Sequence, residues 1–296
     1  MGNILTKQFY RQRKDFEASC AGRDAGLTFP EGVICSTDIA YADDGIKAHV
    51  LDIYRPEDSQ EKILPVIINV HGGGLIIGNK EFNRYFCALL CKKGFLVYSI
   101  EYRLIPDCLI YDQIADVFMA MDYIKERLAA DGGDSSHVYM AGDSGGACLI
   151  TYANAIQNST NIARAANVTP SGLRINALGL ISGMFYTSRF DKIGLFLPKY
   201  LYGRDYKKTP FAKYVNPENR ELLNSLAPVW LVTSHNDFLR RYTTDFEKAL
   251  TRAEREHELV VFPKNKKLTH AFSVFEPFLP ESSAVIDMMV EYLRKF

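Results

Sequence analysis

The sequence has no excess of either charge and no long basic run. It contains 35 Lys plus Arg and 35 Asp plus Glu among 296 residues. Proteins that bind nucleic acid or anionic membranes need clustered positive charge, because it attracts the phosphates of their partners. The balanced charge therefore argues against both kinds of partner and favours a small, largely uncharged ligand.

Two further absences bear on the compartment and the redox state. No apolar run is long enough to cross a bilayer, and no secretory apolar region follows Met1, so we expect a cytoplasmic location. The cysteines show no paired CxxC spacing, and three of them lie in strongly apolar segments. We therefore predict reduced side chains at Cys20, Cys35, Cys87, Cys91, Cys108 and Cys148.

The first residues allow two interpretations. Met1-Gly2-Asn3-Ile4-Leu5-Thr6 fits the N-myristoylation pattern, although so short a pattern arises easily by chance. The alternative is an ordinary N-terminal helix over about 3–18, and this is the interpretation that we favour.

Repeats and low-complexity tracts are absent, so residues 1–296 are predicted to form a single domain. Short apolar runs bounded by turn residues alternate with helical patterns along the chain. Eight strands are predicted, at 32–41, 46–54, 65–70, 95–100, 137–141, 175–181, 228–234 and 258–262. Beside the N-terminal helix, helices are predicted at 82–92, 112–130, 145–157, 243–256 and 282–294.

The character of these strands predicts the sheet. The first two are joined through Asp43-Asp44-Gly45, a turn cluster that favours an antiparallel hairpin. The next two are almost continuously apolar, as expected of parallel strands that helices cover on both faces. The sequence therefore predicts an α/β fold with a mostly parallel eight-stranded sheet flanked by helices.

A segment rich in aromatic residues, about 183–227, separates the sixth and seventh strands. It contains Phe185, Tyr186, Phe190, Phe196, Tyr200, Tyr202, Tyr206, Phe211 and Tyr214. Because it is too long for a simple loop, we predict a small helical cap over the mouth of a pocket. Residues 1–30 are predicted to complete this cap, although the amphipathic segment 2–21 could equally lie on the surface as a helix of its own.

Gly142-Asp143-Ser144-Gly145-Gly146 matches the pattern G-x-S-x-G between a predicted strand and a predicted helix. A tight turn at such a place exposes the serine hydroxyl in a strained backbone conformation, and the glycines remove side chains that would clash. The alternative, a phosphate-binding turn, lacks both the Lys-Ser/Thr of a P-loop and the spacing G-x-G-x-x-G. Ser144 is therefore the predicted nucleophile.

A second glycine-rich turn, His71-Gly72-Gly73-Gly74, follows the strand 65–70. Its glycines free backbone N–H groups to face a cavity, which is what an oxyanion hole needs. A flexible hairpin loop is the alternative. It would not explain why both turns follow parallel strands, whose carboxyl ends form the ligand-binding edge of α/β sheets.

With Gly78, Tyr102-Arg103-Leu104-Ile105-Pro106-Asp107 and the serine turn, this loop resembles the hormone-sensitive-lipase-like branch of the α/β-hydrolases. The resemblance spans most of the chain. It implies a carboxylesterase or acetyl esterase whose oxyanion donors are the backbone N–H groups of Gly73, Gly74 and Gly145. Three departures leave the catalytic groups in place: Gly145 replaces the usual Ala, and Ile105 and Asp107 replace Ala and Glu.

A serine nucleophile needs a histidine base and a carboxylate that orients it, in the chain order Ser, acid, His. Three histidines precede Ser144, and three follow it: His235, His257 and His270. His235 ends the strand that leads to the acid, and His257 precedes a strand at the wrong end of the sheet. His270 is the predicted base, since its loop follows the last strand and its His-x-Phe resembles the family pattern.

The acid is expected just past the strand 228–234, where Asp237 lies. Asp245 is the competitor, but it falls within the following helix, where a solvated charge is the simpler interpretation. The family usually places a second Asp after the leucine, whereas this chain has Arg240-Arg241, so the support of the acid loop stays open. Asp143 is expected to hold the serine turn, and His71 to anchor the glycine loop.

These residues predict a serine esterase that hydrolyses small, short-acyl carboxylic esters through an acyl-enzyme, with no metal or organic cofactor. The expected partner is a small-molecule ester, and the family often forms homodimers. The alternatives are an amidase or peptidase, or a carbohydrate deacetylase, with the same triad. A non-catalytic small-molecule receptor is a further alternative, but such proteins lose a triad member, and here all three are present.

Overall fold

The computed structural model describes residues 2–59 and 62–296. Met1, the first residue of the N-myristoylation pattern, lies outside these residues. Within them, eight strands form one sheet in the order β1-β2-β4-β3-β5-β6-β7-β8. They are β1 (Val33–Ala40), β2 (Val50–Pro56), β3 (Leu64–Val70), β4 (Leu96–Ile100), β5 (Gly133–Asp143), β6 (Ala177–Ile181), β7 (Val229–Ser234) and β8 (His257–Phe262).

The sheet confirms the predicted α/β architecture. Strand β2 pairs antiparallel with β1 and with β4, and the other neighbouring strands pair in parallel. The first two strands are antiparallel neighbours as expected, but β2 begins at Val50 rather than at residue 46. Residues 46–49 form a turn instead, in which the Ile46 N–H donates to Asp44 and the His49 N–H donates to the Ile46 carbonyl.

Eleven α-helices accompany the sheet in the described residues. They are α1 (Gly2–Asp24), α2 (Arg84–Lys92), α3 (Ile110–Arg127), α4 (Ser144–Asn158), α5 (Thr160–Ala166), α6 (Lys192–Phe196), α7 (Pro198–Leu201), α8 (Arg220–Asn224), α9 (Arg240–Arg252), α10 (Phe272–Phe275) and α11 (Pro280–Leu293). The prediction placed the end of α9 at residue 256, which was wrong. Glu254 has φ 55, a left-handed conformation that ends the helix.

Two apolar cores lie on the two faces of the sheet. Along β3, Val66 and Ile68 belong to one core and Ile67 to the other, because successive side chains of a strand point to opposite faces. This alternation explains the continuous apolar runs of the central strands. Among the described residues, no helix combines the length and hydrophobicity needed to cross a membrane.

The segment 183–227 follows β6 and contains the short helices α6, α7 and α8. It contacts the N-terminal helix, since the rings of Phe9 in α1 and Tyr200 in α7 meet edge to face with centroids 5.2 Å apart. Both segments therefore lie side by side. Their function as a cap stays a prediction.

Candidate active site

Ser144 lies at the junction of β5 and α4, with φ 49. This left-handed conformation is strained for a residue other than glycine. The glycines on either side are required by close packing: a Cβ on Gly146 would lie 2.1 Å from the Val70 carbonyl oxygen, and one on Gly142 would lie 2.8 Å from it. The turn therefore presses against the end of β3, which holds Ser144 in its strained conformation.

The structure brings Ser144, His270 and Asp237 into one hydrogen-bonded chain. His270 Nε2 lies 2.9 Å from Ser144 Oγ, and His270 Nδ1 lies 2.7 Å from Asp237 Oδ1. When Nδ1 donates to the carboxylate, a neutral imidazole leaves Nε2 as the acceptor for the serine hydroxyl. The arrangement has the geometry that general-base activation of a serine requires.

Both oxygens of Asp237 are held by neighbours. Thr233 in β7 donates its hydroxyl to Oδ2 over 2.8 Å, and the Leu239 backbone N–H donates to Oδ1 over 2.8 Å. Burial alone raises the pKa of Asp237, but the hydrogen bond from His270 and that from Leu239 outweigh burial and hold this pKa below its ordinary value. The carboxylate therefore stays ionised beside the histidine. No sequence pattern indicated Thr233.

Asp245, the competitor for the acid position, and Arg240 have other side-chain partners. The Asp245 carboxylate accepts a hydrogen bond from the Arg189 guanidinium over 2.8 Å, in the segment 183–227. Arg240, one of the two arginines that replace the family's second Asp, lies 2.7 Å from His235 Nδ1. The Asp237 carboxylate is thus held by Thr233 and the Leu239 backbone. Arg240 supports the same loop in another way, because its backbone N–H donates to the Asp237 carbonyl over 3.1 Å.

The glycine loop after β3 lies directly against the serine turn. Gly73 and Gly74 have φ 110 and 62, so the backbone turns in a conformation that glycine adopts most readily. A Cβ on Gly145 would lie 2.8 Å from the Leu75 nitrogen and 2.9 Å from the Gly74 nitrogen. Glycine in place of the family's alanine is therefore required by this close approach. The oxyanion role of Gly73, Gly74 and Gly145 stays a prediction.

His71 anchors the base of this loop. Its Nε2 lies 3.0 Å from a Glu101 carboxylate oxygen and its Nδ1 lies 2.8 Å from the Gly72 carbonyl, so both nitrogens face acceptors. The ring also stacks on Tyr102, with centroids 4.4 Å apart. Burial alone lowers the pKa of His71, but the Glu101 carboxylate outweighs burial and the pKa is raised above its ordinary value. A protonated ring, which donates from both nitrogens, fits this site.

Asp143 links the two glycine-rich turns. Its Oδ1 accepts from the Gly72 backbone N–H over 3.0 Å and from Asn83 Nδ2 over 2.9 Å. Burial raises its pKa above the ordinary value, although these two donors oppose the rise. Through Oδ1 the carboxyl group joins the glycine loop to the serine turn, and Asn83 is a supporting residue that sequence reasoning missed.

A cavity of about 300 Å³ opens above Ser144 and His270. Apart from Asp143, Ser144 and His270, its lining consists of glycines and apolar side chains. The apolar lining includes Phe16 of α1, Met184, Ile193 and Leu197 of the segment 183–227, and Phe238 and Leu239 beside the acid. Phe16 is a further residue that no motif indicated, since only the fold brings α1 to the cavity.

A family model described as the alpha/beta hydrolase fold matches residues 67–273. The chain is an α/β-hydrolase. The matched range contains both glycine-rich turns and all three members of the hydrogen-bonded chain, and it confirms the resemblance to the hormone-sensitive-lipase-like branch.

Curated relatives of this α/β-hydrolase include a probable isoprenylcysteine alpha-carbonyl methylesterase of Oryza sativa subsp. japonica. The two are 29% identical over 184 residues, which are 58% of this chain and 44% of the relative. The esterase LipQ of Mycobacterium tuberculosis is 32% identical over 120 residues, or 40% of this chain and 28% of the relative. The chain thus spans less than half the length of the curated relatives that it matches.

Solved structures share the whole fold. Esterase B from Lactobacillus Rhamnosis (HN001) superposes with a TM-score of 0.92 at 22% identity and covers 100% of this chain and 96% of its own. A bacterial heroin esterase superposes with a TM-score of 0.72 at 23% identity, over 98% of this chain and 92% of its own. These likenesses confirm the fold.

Proposed function

We propose that this α/β-hydrolase is a serine carboxylesterase that hydrolyses small, short-acyl carboxylic esters. The observation that carries the proposal is the hydrogen-bonded chain Ser144, His270 and Asp237, with links of 2.9 and 2.7 Å, on the floor of an apolar cavity. The names of its relatives, among them methylesterases and esterases, support the same reaction class.

The proposed reaction is acyl transfer in two steps. His270 takes the proton of Ser144 as the serine oxygen attacks the ester carbonyl, and the N–H groups of Gly73, Gly74 and Gly145 stabilise the oxyanion. The intermediate collapses, the C–O bond to the alcohol breaks, and His270 returns the proton to the departing alcohol. Water, activated by His270, then releases the acid and regenerates Ser144.

The cavity supports small, apolar esters. Its volume of about 300 Å³ lies at the lower end of the range for small-molecule sites. Esterase B from Lactobacillus Rhamnosis, which shares the fold, has been solved with a C4-C4 tributyrin phosphonate. Besides the groups assigned to catalysis and to the turns, the described residues of the lining offer no polar side chain that would bind sugar hydroxyls. This lining disfavours a carbohydrate deacetylase, because buried hydroxyls without partners are costly.

The test is hydrolysis of p-nitrophenyl acetate, butyrate and octanoate, beside the matched anilides and an acetylated methyl glucoside. We expect the short esters to be hydrolysed far faster than the anilides, the octanoate and the sugar ester. A serine-directed phosphonate should label the wild type and spare Ser144→Ala. Equal labelling of both proteins would overturn the proposal, and faster turnover of the anilides would make the protein an amidase.

A further inference from the structure

The glycine loop contains a strained residue that glycine does not relieve. Leu75 is buried and has φ 68, in the left-handed region that a branched side chain disfavours. Inside the loop, the N–H groups of Ile76 and Ile77 donate to the Gly73 carbonyl over 3.1 and 3.0 Å. Such strain persists only where the surroundings hold the backbone from several sides. The loop therefore needs external contacts to keep its shape.

Two sets of contacts hold the loop from outside. The Leu75 carbonyl accepts from the Ile105 backbone N–H and from Gln113 Nε2, both over 3.0 Å. The next carbonyl, that of Ile76, accepts from Arg13 Nε over 2.7 Å. The first set comes from the body of the fold. The second set comes from α1, which lies near the start of the chain, whereas His270 lies near its end.

The same guanidinium binds a second loop. Arg13 Nη2 donates to the carbonyls of Leu104 and Ile105 over 3.0 and 2.6 Å, and Nη1 donates to Asp107 over 2.8 Å. Its side chain is only 17% exposed. Tyr10 of α1 also donates to Asp107. Asp107, the residue that replaces the family's glutamate, is thus the partner of α1, and one planar group joins α1 to the loops 72–78 and 103–107.

We infer that Arg13 is a positioning residue for the oxyanion loop, so that α1 acts on the reaction rate as well as forming a wall of the cavity. The inference rests on the proposed esterase function. The Gly74 and Leu75 nitrogens lie so close to Gly145 that a Cβ there would approach within 2.9 Å of both. A small shift of the loop therefore changes where its N–H groups point, and oxyanion donors act only when they are aimed correctly.

The test compares Arg13→Met with Arg11→Met, which lies on the same helix. The Arg11 side chain is 83% exposed and its ion pair with Asp15, at 3.7 Å, stays within α1. We expect Arg13→Met to lower kcat per titrated active site about tenfold, well short of the roughly 100- to 1,000-fold cost of removing a whole donor. Arg11→Met should match the wild type. Arg13→Lys, which keeps the charge but not the planar fork, should fall between them.

Binding of an inhibitor that forms an oxyanion distinguishes a loss of loop positioning from a general loss of stability. A trifluoromethyl ketone adds to the serine and forms an oxyanion, whereas the matched alcohol binds the cavity without one. Arg13→Met should weaken binding of the ketone about tenfold and change binding of the alcohol less than twofold, following the transition-state argument.

Two outcomes would overturn the inference, and a third would overturn the proposed function. Wild-type values of kcat and ketone affinity in Arg13→Met would overturn the inference, and so would equal weakening of ketone and alcohol. If Arg13→Met folds poorly, Arg13→Lys carries the same comparison. A wild type that hydrolyses no ester and takes no phosphonate label would instead overturn the proposed function, so the two failures are distinguishable.

Discussion

The turns at the strand ends and the walls of the cavity differ in what they demand of the sequence. In the turns, the backbone is packed so closely that these glycines have no room for a side chain. A Cβ on Gly72 would lie 2.1 Å from Asp143 Oδ2, and one on Gly146 would lie 2.1 Å from the Val70 carbonyl oxygen. In the walls, apolar surface comes from separate elements: Phe16 lies in α1, Ile193 lies in α6, and Leu197 directly follows α6. Several apolar residues could do the same.

This difference suggests separate roles for the two regions, with the turns serving the proposed reaction and the cavity walls serving substrate selectivity. The proposed catalytic geometry depends on glycines that let two backbone turns meet, where an added Cβ would clash with the facing turn. The cavity depends on the sum of apolar surface, which hydrophobic substitutions change gradually. We therefore expect substitutions at the strand ends to abolish turnover or folding, and substitutions in the walls to change selectivity.

The largest effect is expected at the acid. Asp237→Asn should lower kcat by about 10⁴-fold, because an amide disfavours the histidine tautomer that accepts the serine proton. Asp245→Asn is the matched control, since Asp245 pairs with Arg189 and not with His270. Steady-state kinetics on a p-nitrophenyl ester measures both. A large loss in the Asp245 variant with none in the Asp237 variant would exchange the two assignments.

Close packing at the turn glycines should be visible in the free energy of unfolding. Gly146→Ala should lower the free energy of unfolding by about 3 kcal/mol, because the backbone must shift to admit the methyl group. Gly22→Ala, in α1, meets nothing within 4 Å and should stabilise the protein by about 0.5–1 kcal/mol. Urea unfolding of both variants gives the values. Equal, small changes would show that the serine turn is less tightly packed than these distances imply.

Support of the acid should have a smaller effect. Thr233→Val removes the hydroxyl that donates to Asp237 Oδ2 and should lower kcat about tenfold, the value of one hydrogen bond to a charged group. Thr243→Val is the control, because the buried Thr243 hydroxyl has no hydrogen-bond partner among the described residues. Unchanged kcat in Thr233→Val would mean that the Leu239 N–H alone orients the acid.

The smallest change in rate is expected in the walls. Phe16→Ala should change kcat on p-nitrophenyl butyrate by less than about threefold, yet raise relative turnover of the octanoate, since removing the ring enlarges the cavity. Phe190→Ala, at a side chain that is 95% exposed, should leave the chain-length profile unchanged. A profile unaltered by Phe16→Ala would remove α1 from substrate selection.

The elements that the sequence predicted best are those set by local pattern. Central strands such as β3 and β4 were found because parallel strands buried on both faces need continuous apolar runs. Boundaries were less accurate where turns decide them. The start of β2 was misplaced because the hydrogen bonds of Asp44 and Ile46 extend the turn beyond its Asp-Gly step, and α5, a helix of 7 residues, was not predicted.

The sequence by itself determined the eight-stranded architecture and the two glycine-rich turns, because strand periodicity and the steric needs of a tight turn are written in neighbouring residues. Only the tertiary structure decided that Asp237, held by Thr233, meets His270, and that Arg13 of α1 reaches the Ile76 carbonyl. Residues 13 and 76 are far apart in the chain. Such contacts depend on how whole elements pack, and no local pattern encodes them.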